Sequence, residues 1–156
     1  MIDVAIPGYG QLALEHLVCD YNGTLARDGV LLDGVAAQLS ALAANLTVHV
    51  VTGDTFGTAL RSLQGLTCAV TLLPSEGQVQ ARQAFVTKLG AAAVVAVGNG
   101  RNDRLMLEAA ALGIAVIGDE GLAADAMAAC DIVVHHVADA FALLEDPRRL
   151  IATLRA

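Results

Sequence analysis

Short apolar runs alternate with helical segments along most of this chain. The predicted strands cover residues 12–19, 46–51, 67–72, 93–97, 114–117 and 132–134. The predicted helices cover residues 34–44, 56–63, 76–89, 103–112, 122–129, 138–144 and 148–154. Asp146-Pro147 supplies an N-cap and a first-turn proline for the last of them. Regular alternation of strand and helix favours a parallel sheet with helices on both faces. We therefore predict a three-layer α/β fold of the Rossmann-like type.

The chain has the length and composition of one such domain. Its 156 residues fall within the usual size of a single domain, and no linker divides them. Aromatic residues make up only 3% of the sequence, so Ala, Val, Leu and Ile must fill the core. Such small aliphatic side chains suit buried parallel strands. We expect residues 1–156 to form one domain, with residues 1–11 as a lead-in or short edge strand.

Polar residues follow three of the predicted strands, at the point where each strand ends. They occupy residues 20–24, 52–54 and 98–103. Ligands of open α/β sheets bind at the carboxyl ends of the strands. Taken alone, Asp20 before Asn22 and Gly23 is more typical of a cap or turn than of a catalytic residue. The three polar segments together favour a shared site.

These three segments, in this order and spacing, resemble the motifs of the haloacid dehalogenase superfamily. Residues 20–24 (Asp-Tyr-Asn-Gly-Thr) align with Asp-Lys-Thr-Gly-Thr, and residues 52–54 align with Thr-Gly-Asp. Residues 98–103 (Gly-Asn-Gly-Arg-Asn-Asp) align with Gly-Asp-Gly-x-Asn-Asp. The resemblance is closest to the small soluble P-type-ATPase-like phosphohydrolases and covers essentially the whole chain. Many relatives insert a cap domain between the first two motifs, or between the second and fourth predicted strands, but this chain has room for neither insertion. A flap at residues 26–33, turning at Asp28-Gly29, and the helix at 34–44 fill the chain between the first two motifs.

The resemblance implies phosphoryl transfer through an aspartyl-phosphate. Asp20 is then the nucleophile, and Thr52 donates its hydroxyl to the phosphoryl group. The backbone N–H of Gly53, expected at a helix start, and the side chain of Asn99 complete the phosphate site. The cofactor implied is Mg²⁺, and the substrate is a small phosphorylated molecule.

The same resemblance assigns four residues to the metal. A carboxylate oxygen of Asp20 and the backbone carbonyl of Asn22 are two ligands. Asn99 occupies a direct ligand position, and Asp103 acts nearby or through water. Since Asn99 replaces the usual Asp, one negative charge is missing and we expect weaker Mg²⁺ binding.

Asn22 departs from the family pattern at a catalytic position. Phosphatases of the superfamily carry Asp there, which protonates the leaving group and then activates water. An amide cannot transfer a proton at neutral pH. The sequence therefore predicts slow turnover or a persistent phosphoenzyme.

The lysine of the family is also not obvious in this sequence. Lys88 lies at the far end of the helix at 76–89, where it suits the helix dipole better than the site. Arg82 lies nearer the start of that helix and is the better candidate for the positive charge. A solvated surface arginine is an equally good interpretation of Arg82.

Several other residues are weaker candidates. Arg101 and Arg104 flank the third motif and fit either a substrate anion or plain surface positions. Asp119-Glu120 follows a strand and fits either the rim of the site or a helix cap. His135-His136 does not read as a metal pair, because adjacent residues of a strand point to opposite faces.

Charge and cysteine content exclude other classes of protein. The net charge of −7 argues against a non-specific nucleic-acid surface, and no apolar run is long enough for membrane insertion. No secretory signal is visible. Three cysteines without a Cys-x-x-Cys pair are typical of a reducing compartment, so we expect a cytoplasmic protein.

Three functions remain open from the sequence. The first is the Mg²⁺-dependent phosphohydrolase. The second is a catalytically weak phosphate- or nucleotide-binding regulatory module, which the amides at Asn22 and Asn99 favour. The third is an interaction partner of a transporter. An uncapped site and the apolar flap also predict a homo-oligomer, a dimer or a tetramer, that partly covers the site.

Overall fold

A computed structural model describes residues 1–54 and 57–156 of the chain. In these residues ten strands form three sheets. The strands are β1 (Ile2–Ile6), β2 (Gly10–Leu14), β3 (His16–Asp20), β4 (Ala26–Arg27), β5 (Val30–Leu31), β6 (Thr47–Thr52), β7 (Ala69–Leu72), β8 (Val94–Gly98), β9 (Leu112–Val116) and β10 (Ile132–Val134). The helices are α1 (Val35–Leu42), α2 (Thr58–Ser62), α3 (Gln78–Leu89), α4 (Arg104–Ala109), α5 (Ala124–Ala129), α6 (Val137–Glu145) and α7 (Pro147–Leu154).

The central sheet has six strands in the order β10-β9-β8-β3-β6-β7. Every neighbouring pair in it is parallel. Helices cover both faces, which confirms the predicted three-layer Rossmann-like fold. Between β3 and β6 the chain forms only the flap and α1, so no cap domain is inserted there.

Alternate residues of β3 face opposite sides of the sheet. Leu17 and Cys19 belong to the core shared with α1 and α6, whereas Val18 belongs to the core shared with α3, α4 and α5. The core is almost entirely aliphatic, as the low aromatic content requires. Asp20 has the same parity as Val18, so its side chain lies on the α3 side.

The first predicted strand is wrong in its extent. Residues 12–19 form parts of two strands, β2 and β3, which are separated at Glu15. β1 and β2 pair antiparallel in a sheet of their own, so residues 1–11 are more than a lead-in. Ile2, Val4 and Ile6 are buried while the residues between them are exposed. An apolar run gives the same hydrophobic signal whether or not the chain changes sheets within it.

Two local predictions are confirmed. The flap is a small antiparallel hairpin of β4 and β5, and its turn residues Asp28 and Gly29 have φ of 51° and 78°. Such positive φ values are those of the turns that match the twist of a hairpin. At the start of α7, the side chain of Asp146 accepts the N–H of Arg148, with Pro147 in the first turn.

Candidate active site

Three strand ends meet at one edge of the central sheet. β3 ends at Asp20, β6 at Thr52 and β8 at Gly98, and the parallel register places these ends side by side. A cavity of about 460 Å³ opens at this edge. Its lining residues are Asp20, Asn22, Thr52, Gly53, Asp54, Gln78, Arg82, Asn99, Gly100, Asn102 and Glu120. The fold therefore brings all three sequence motifs to a single cavity.

Arg82 lies beneath this cavity between two carboxylates. Its Nη1 is 2.9 Å from Oδ1 of Asp20 and 3.2 Å from Oδ1 of Asp103. The same nitrogen donates to the backbone carbonyl of Val51 at 3.4 Å. Arg82 is only 2% exposed, so the interpretation of Arg82 as a solvated surface arginine is wrong. α3 buries this side chain because residue 82 lies on the helix face that packs against the sheet.

Asp103 holds the loop after β8 closed. Its Oδ2 accepts the backbone N–H groups of Asn99 at 3.1 Å and Gly100 at 2.9 Å. Gly98 permits this approach, since a Cβ at that position would lie 2.6 Å from Cγ of Asp103. One oxygen of Asp103 thus serves the loop and the other faces Arg82.

Two buried carboxylates share one guanidinium at this site. Burial, and then the charge of Asp103, raise the pKa of Asp20 to about 8, while Arg82 opposes the rise. Burial also raises the pKa of Asp103, against the charge of Arg82 and two backbone hydrogen bonds. Ionisation of both carboxyl groups therefore lowers the stability of the folded protein when no cation is added.

This charge imbalance predicts that Asp20→Asn stabilises the metal-free protein, and increasingly so as pH rises. A carboxyl with a raised folded-state pKa contributes stability below its unfolded pKa and loses it as pH rises toward about 8. The Asn variant escapes this loss because it never ionises. We expect its melting temperature in EDTA to exceed that of the wild type clearly at pH 8.5 and only slightly at pH 5. Each kcal/mol corresponds to about 2–4 °C in a chain of this size.

Asp33→Asn is the matched control, because Asp33 is an exposed carboxylate away from the cavity. It should shift the melting temperature little at either pH. The charge imbalance would be contradicted if Asp20→Asn changes the melting temperature equally at both pH values, or if it melts below the wild type at pH 8.5.

Thr52 and Gly53, two of the predicted phosphate-binding residues, line the cavity at the end of β6. Oγ1 of buried Thr52 accepts the N–H of Asp54 at 3.2 Å, which leaves its own hydroxyl hydrogen free to donate. Gly53 does not lie at a helix start, since α2 begins only at Thr58. The predicted start of that helix at Phe56 lies outside the described residues. Gly53 instead lies directly after β6, outside any described helix.

Asn99 is fixed by its neighbours on both ends of its amide. Its Nδ2 donates to the carbonyl of Gly121 at 3.0 Å, and its Oδ1 accepts the hydroxyl of Thr24 at 3.4 Å. Gly23 has a φ of 81°, and a Cβ there would lie 2.6 Å from Nδ2 of Asn99 and 2.7 Å from Oε2 of Glu120. The first motif therefore needs glycine at position 23, where its chain passes close to the side chains of Asn99 and Glu120.

Sequence reasoning missed part of the lining and left part open. Gln78 lies outside the three motifs, and Asn102 lies in the third motif without a predicted role, yet both line the cavity. The sequence leaves two interpretations for Glu120, the rim of the site or a helix cap, and the structure places Glu120 at the cavity. Its position in the turn that follows β9, at the same edge of the sheet as the other strand ends, is the signal that favours the cavity. No such signal exists for Gln78, which reaches the cavity from the start of α3.

The other candidates lie away from the cavity. Lys88 is in the last turn of α3, as predicted. Arg101 pairs with Asp125 at 2.7 Å, and Arg104 donates to the carbonyl of Arg101. The two histidines at 135–136 do not line the cavity.

Two absences hold for the described part of the chain. No group of three or more His, Cys, Asp or Glu side chains there is arranged to hold a metal ion. Within residues 1–54 and 57–156, no helix is both long and apolar enough to cross a membrane.

Sequence comparison gives one informative relative. No protein-family model matches the chain. It is 50% identical over 62 residues to the uncharacterized protein MJ0073 of Methanocaldococcus jannaschii, covering 40% of this chain and 67% of that protein. The chain belongs to the same family as that protein, whose name assigns no activity.

Structural comparison gives several similar folds. 3-Deoxy-D-manno-octulosonate 8-phosphate phosphatase of Moraxella catarrhalis, solved with a magnesium ion, a phosphate ion and KDO, is 17% identical, with a TM-score of 0.70 over 92% of this chain and 94% of that one. The cobalt-bound phosphatase of the same kind from Haemophilus influenzae is 14% identical, with a TM-score of 0.71 over 92% and 94%. BT1666 of Bacteroides thetaiotaomicron, studied among the phosphatases of the HAD superfamily, is 11% identical, with a TM-score of 0.62 over 87% and 94%. The chain therefore has the fold of the haloacid dehalogenase superfamily, as its three motifs predicted.

Proposed function

We propose that the chain is a single-domain, Mg²⁺-dependent phosphohydrolase that works through an aspartyl-phosphate on Asp20. One observation carries the proposal. Asp20 ends the central strand in a cavity, paired with a buried cation and bordered by a hydroxyl donor at Thr52. A nucleophile, a positive charge and a phosphate donor are thereby collected in one place.

The residues fit a hard divalent cation in kind. The carboxylate of Asp20, the backbone carbonyl of Asn22 and the amide oxygen of Asn99 are the oxygen donors that Mg²⁺ prefers. The magnesium and phosphate ions bound to the Moraxella catarrhalis phosphatase support the same assignment. When bound, Mg²⁺ neutralises phosphoryl charge and orients the phosphate. Asp103 supports this site from behind, by fixing the loop that presents Asn99.

The chain's own residues divide the chemistry among them. A carboxylate oxygen of Asp20 attacks phosphorus, the P–O bond to the leaving group breaks, and the phosphoryl group is held as an acyl phosphate. Arg82 keeps Asp20 in place and offsets the charge that gathers there. Thr52, Gly53 and Asn99 donate to the phosphoryl oxygens. Water then attacks the acyl phosphate and releases inorganic phosphate.

Asn22 makes the second step slow in this proposal. Its side chain is exposed at the cavity, two residues after the nucleophile. Its amide cannot take a proton from the attacking water. A long-lived phosphoenzyme is the property that links this chain to the P-type-ATPase-like phosphohydrolases.

We expect a phosphorylated form of the chain after a short pulse of acetyl phosphate and Mg²⁺. Intact-mass spectrometry at acidic pH detects the adduct, and peptide mapping locates it at Asp20. Asp20→Asn should carry no adduct, whereas Asp33→Asn should carry as much as the wild type. No adduct on a folded, Mg²⁺-bound wild type or on its Asn22→Asp variant would overturn the phosphohydrolase.

That negative result would favour the second candidate function, a phosphate- or nucleotide-binding regulatory module. The observation in its favour is that amides stand at both Asn22 and Asn99, where acidic residues are expected by resemblance. A module of this kind would bind phosphate in the same cavity without forming a covalent bond to Asp20.

We also propose that the chain assembles through its flap. Val30 on β5 is 69% exposed and Leu60 on α2 is 44% exposed, and β5 packs against α2. Exposed apolar residues on neighbouring elements are typical of an interface. We expect sedimentation at micromolar concentration to give a dimer or tetramer, and Val30→Glu to weaken it. A monomer under these conditions would contradict the proposal.

A further inference from the structure

The cavity carries an excess of negative charge. Among the described residues that line it, Asp20, Asp54 and Glu120 are acidic and Arg82 is the cation. Arg82 is already shared between Asp20 and Asp103. An anionic group on a substrate, other than the phosphate itself, therefore finds no uncommitted cation in the described lining.

Two arginines outside the cavity are paired with aspartates. Arg27 pairs with Asp119 at 3.3 Å, and Arg101 pairs with Asp125 at 2.7 Å. Neither lines the cavity.

Glu120 is the acidic residue best placed to act on a bound substrate. Its Oε2 lies 2.7 Å from the Cβ position that Gly23 lacks, and Oδ1 of Asn99 lies 2.8 Å from that same point. The carboxylate is thus next to the amide that the proposed function assigns to phosphate. In the described part of the chain Glu120 makes no hydrogen bond or ion pair, whereas the nearby Arg27 pairs with Asp119, so Glu120 has no direct counter-charge there.

The architecture decides which part of a phosphomonoester meets this carboxylate. The strand ends and Arg82 form the floor of the cavity, where the phosphate reaches Asp20. The leaving group then lies toward the mouth, on the side of the exposed residues Asn22 and Glu120. A like charge on the leaving group is repelled there, and an opposite charge is attracted.

We propose that Glu120 selects substrates by charge, so that the cavity takes phosphomonoesters with an uncharged or cationic leaving group and disfavours those bearing a carboxylate. This proposal rests on the proposed function and narrows its substrate class. Each interaction of this kind, near a protein surface, changes affinity by about three- to tenfold at moderate salt.

Three phosphomonoesters of matched size test the proposal: ethanolamine phosphate, ethylene glycol phosphate and phosphoglycolate. Their leaving groups are cationic, neutral and anionic. With Mg²⁺ present, we expect kcat/KM to fall in that order. Glu120→Gln should lower the ratio of ethanolamine phosphate to phosphoglycolate by about ten- to hundredfold, because it removes both the attraction of the ammonium group and the repulsion of the carboxylate. Glu108→Gln, an exposed glutamate on α4 away from the cavity, should leave that ratio unchanged.

Salt gives a readout that needs no variant. The wild-type ratio should shrink as NaCl increases, because screening weakens exposed charges. The role of Glu120 would be overturned if the ratio of ethanolamine phosphate to phosphoglycolate does not change with salt and is the same in the wild type and in Glu120→Gln.

Calorimetric binding of the same three compounds in Mg²⁺ separates this proposal from the proposed function. If the three compounds bind with a preference by leaving-group charge, Glu120→Gln reduces that preference, and none of them is turned over, the role of Glu120 is supported and the phosphohydrolase is overturned. Turnover without charge preference would overturn the selection alone. Neither binding nor turnover for any of the three would overturn both.

Discussion

Replacing Asn22 with Asp is expected to raise steady-state phosphate release by about 10²- to 10⁴-fold, the usual contribution of a well-placed general acid/base. The position is favourable, because residue 22 lines the cavity two residues after Asp20. In its protonated form a carboxyl there can give its proton to the leaving oxygen, and the carboxylate that remains can then accept the proton of the attacking water. The phosphoenzyme should become correspondingly shorter-lived in a rapid-quench experiment.

The exchange should cost little stability. The side chain of Asn22 is exposed, and its backbone carbonyl, the proposed metal ligand, is unaffected. Surface substitutions of this type usually change the free energy of unfolding by less than about 0.5 kcal/mol.

Asn102→Asp is the matched control for Asn22→Asp. Asn102 is another amide that lines the cavity, but it belongs to the loop after β8 rather than to the first motif. The substitution Asn102→Asp adds the same charge without placing a proton carrier beside Asp20, so it should not reproduce the rise in phosphate release. Equal rates for wild type and Asn22→Asp would mean that residue 22 acts only in the turn.

Replacing Arg82 with Met should destabilise the protein by about 3–5 kcal/mol, the usual cost of leaving a buried charge without its partner. Arg82 is the buried cation between Asp20 and Asp103, and methionine retains the apolar length of the side chain only. The two carboxylates would then face each other in a buried site. Urea unfolding at pH 7.5 in EDTA measures the loss, and phosphorylation of Asp20 should disappear with it.

Three further measurements identify charge as the cause. Arg82→Lys should recover part of the stability, because an ammonium retains the charge without the planar geometry. Asp103→Asn in the Arg82→Met background should also recover part of it. Lowering the pH to 5 should reduce the deficit, since protonated carboxyls no longer repel. A loss below about 1 kcal/mol for Arg82→Met would contradict the shared ion pair.

Local chemistry made much of the fold predictable. The alternation of apolar runs and helical segments predicted the parallel sheet, and the strand ends predicted where a site would lie. The Asp28-Gly29 turn and the Asp146-Pro147 helix start were also readable, because backbone preferences of this kind depend on neighbouring residues. The same local signals could not show that the apolar run at residues 12–19 changes sheets at Glu15.

The choice between Arg82 and Lys88 shows what the sequence could not decide. Both cations lie on α3, and Arg82 was favoured because it lies nearer the start of the helix. Whether its guanidinium is buried depends on which face the helix presents to the sheet. The same holds for the amide of Asn99, fixed by Gly121, and for Glu120, which reaches the cavity beside Gly23. The sequence by itself determined the elements and the motifs at their ends. The distances between charges on different elements, and hence the shared ion pair, were decided only by tertiary packing.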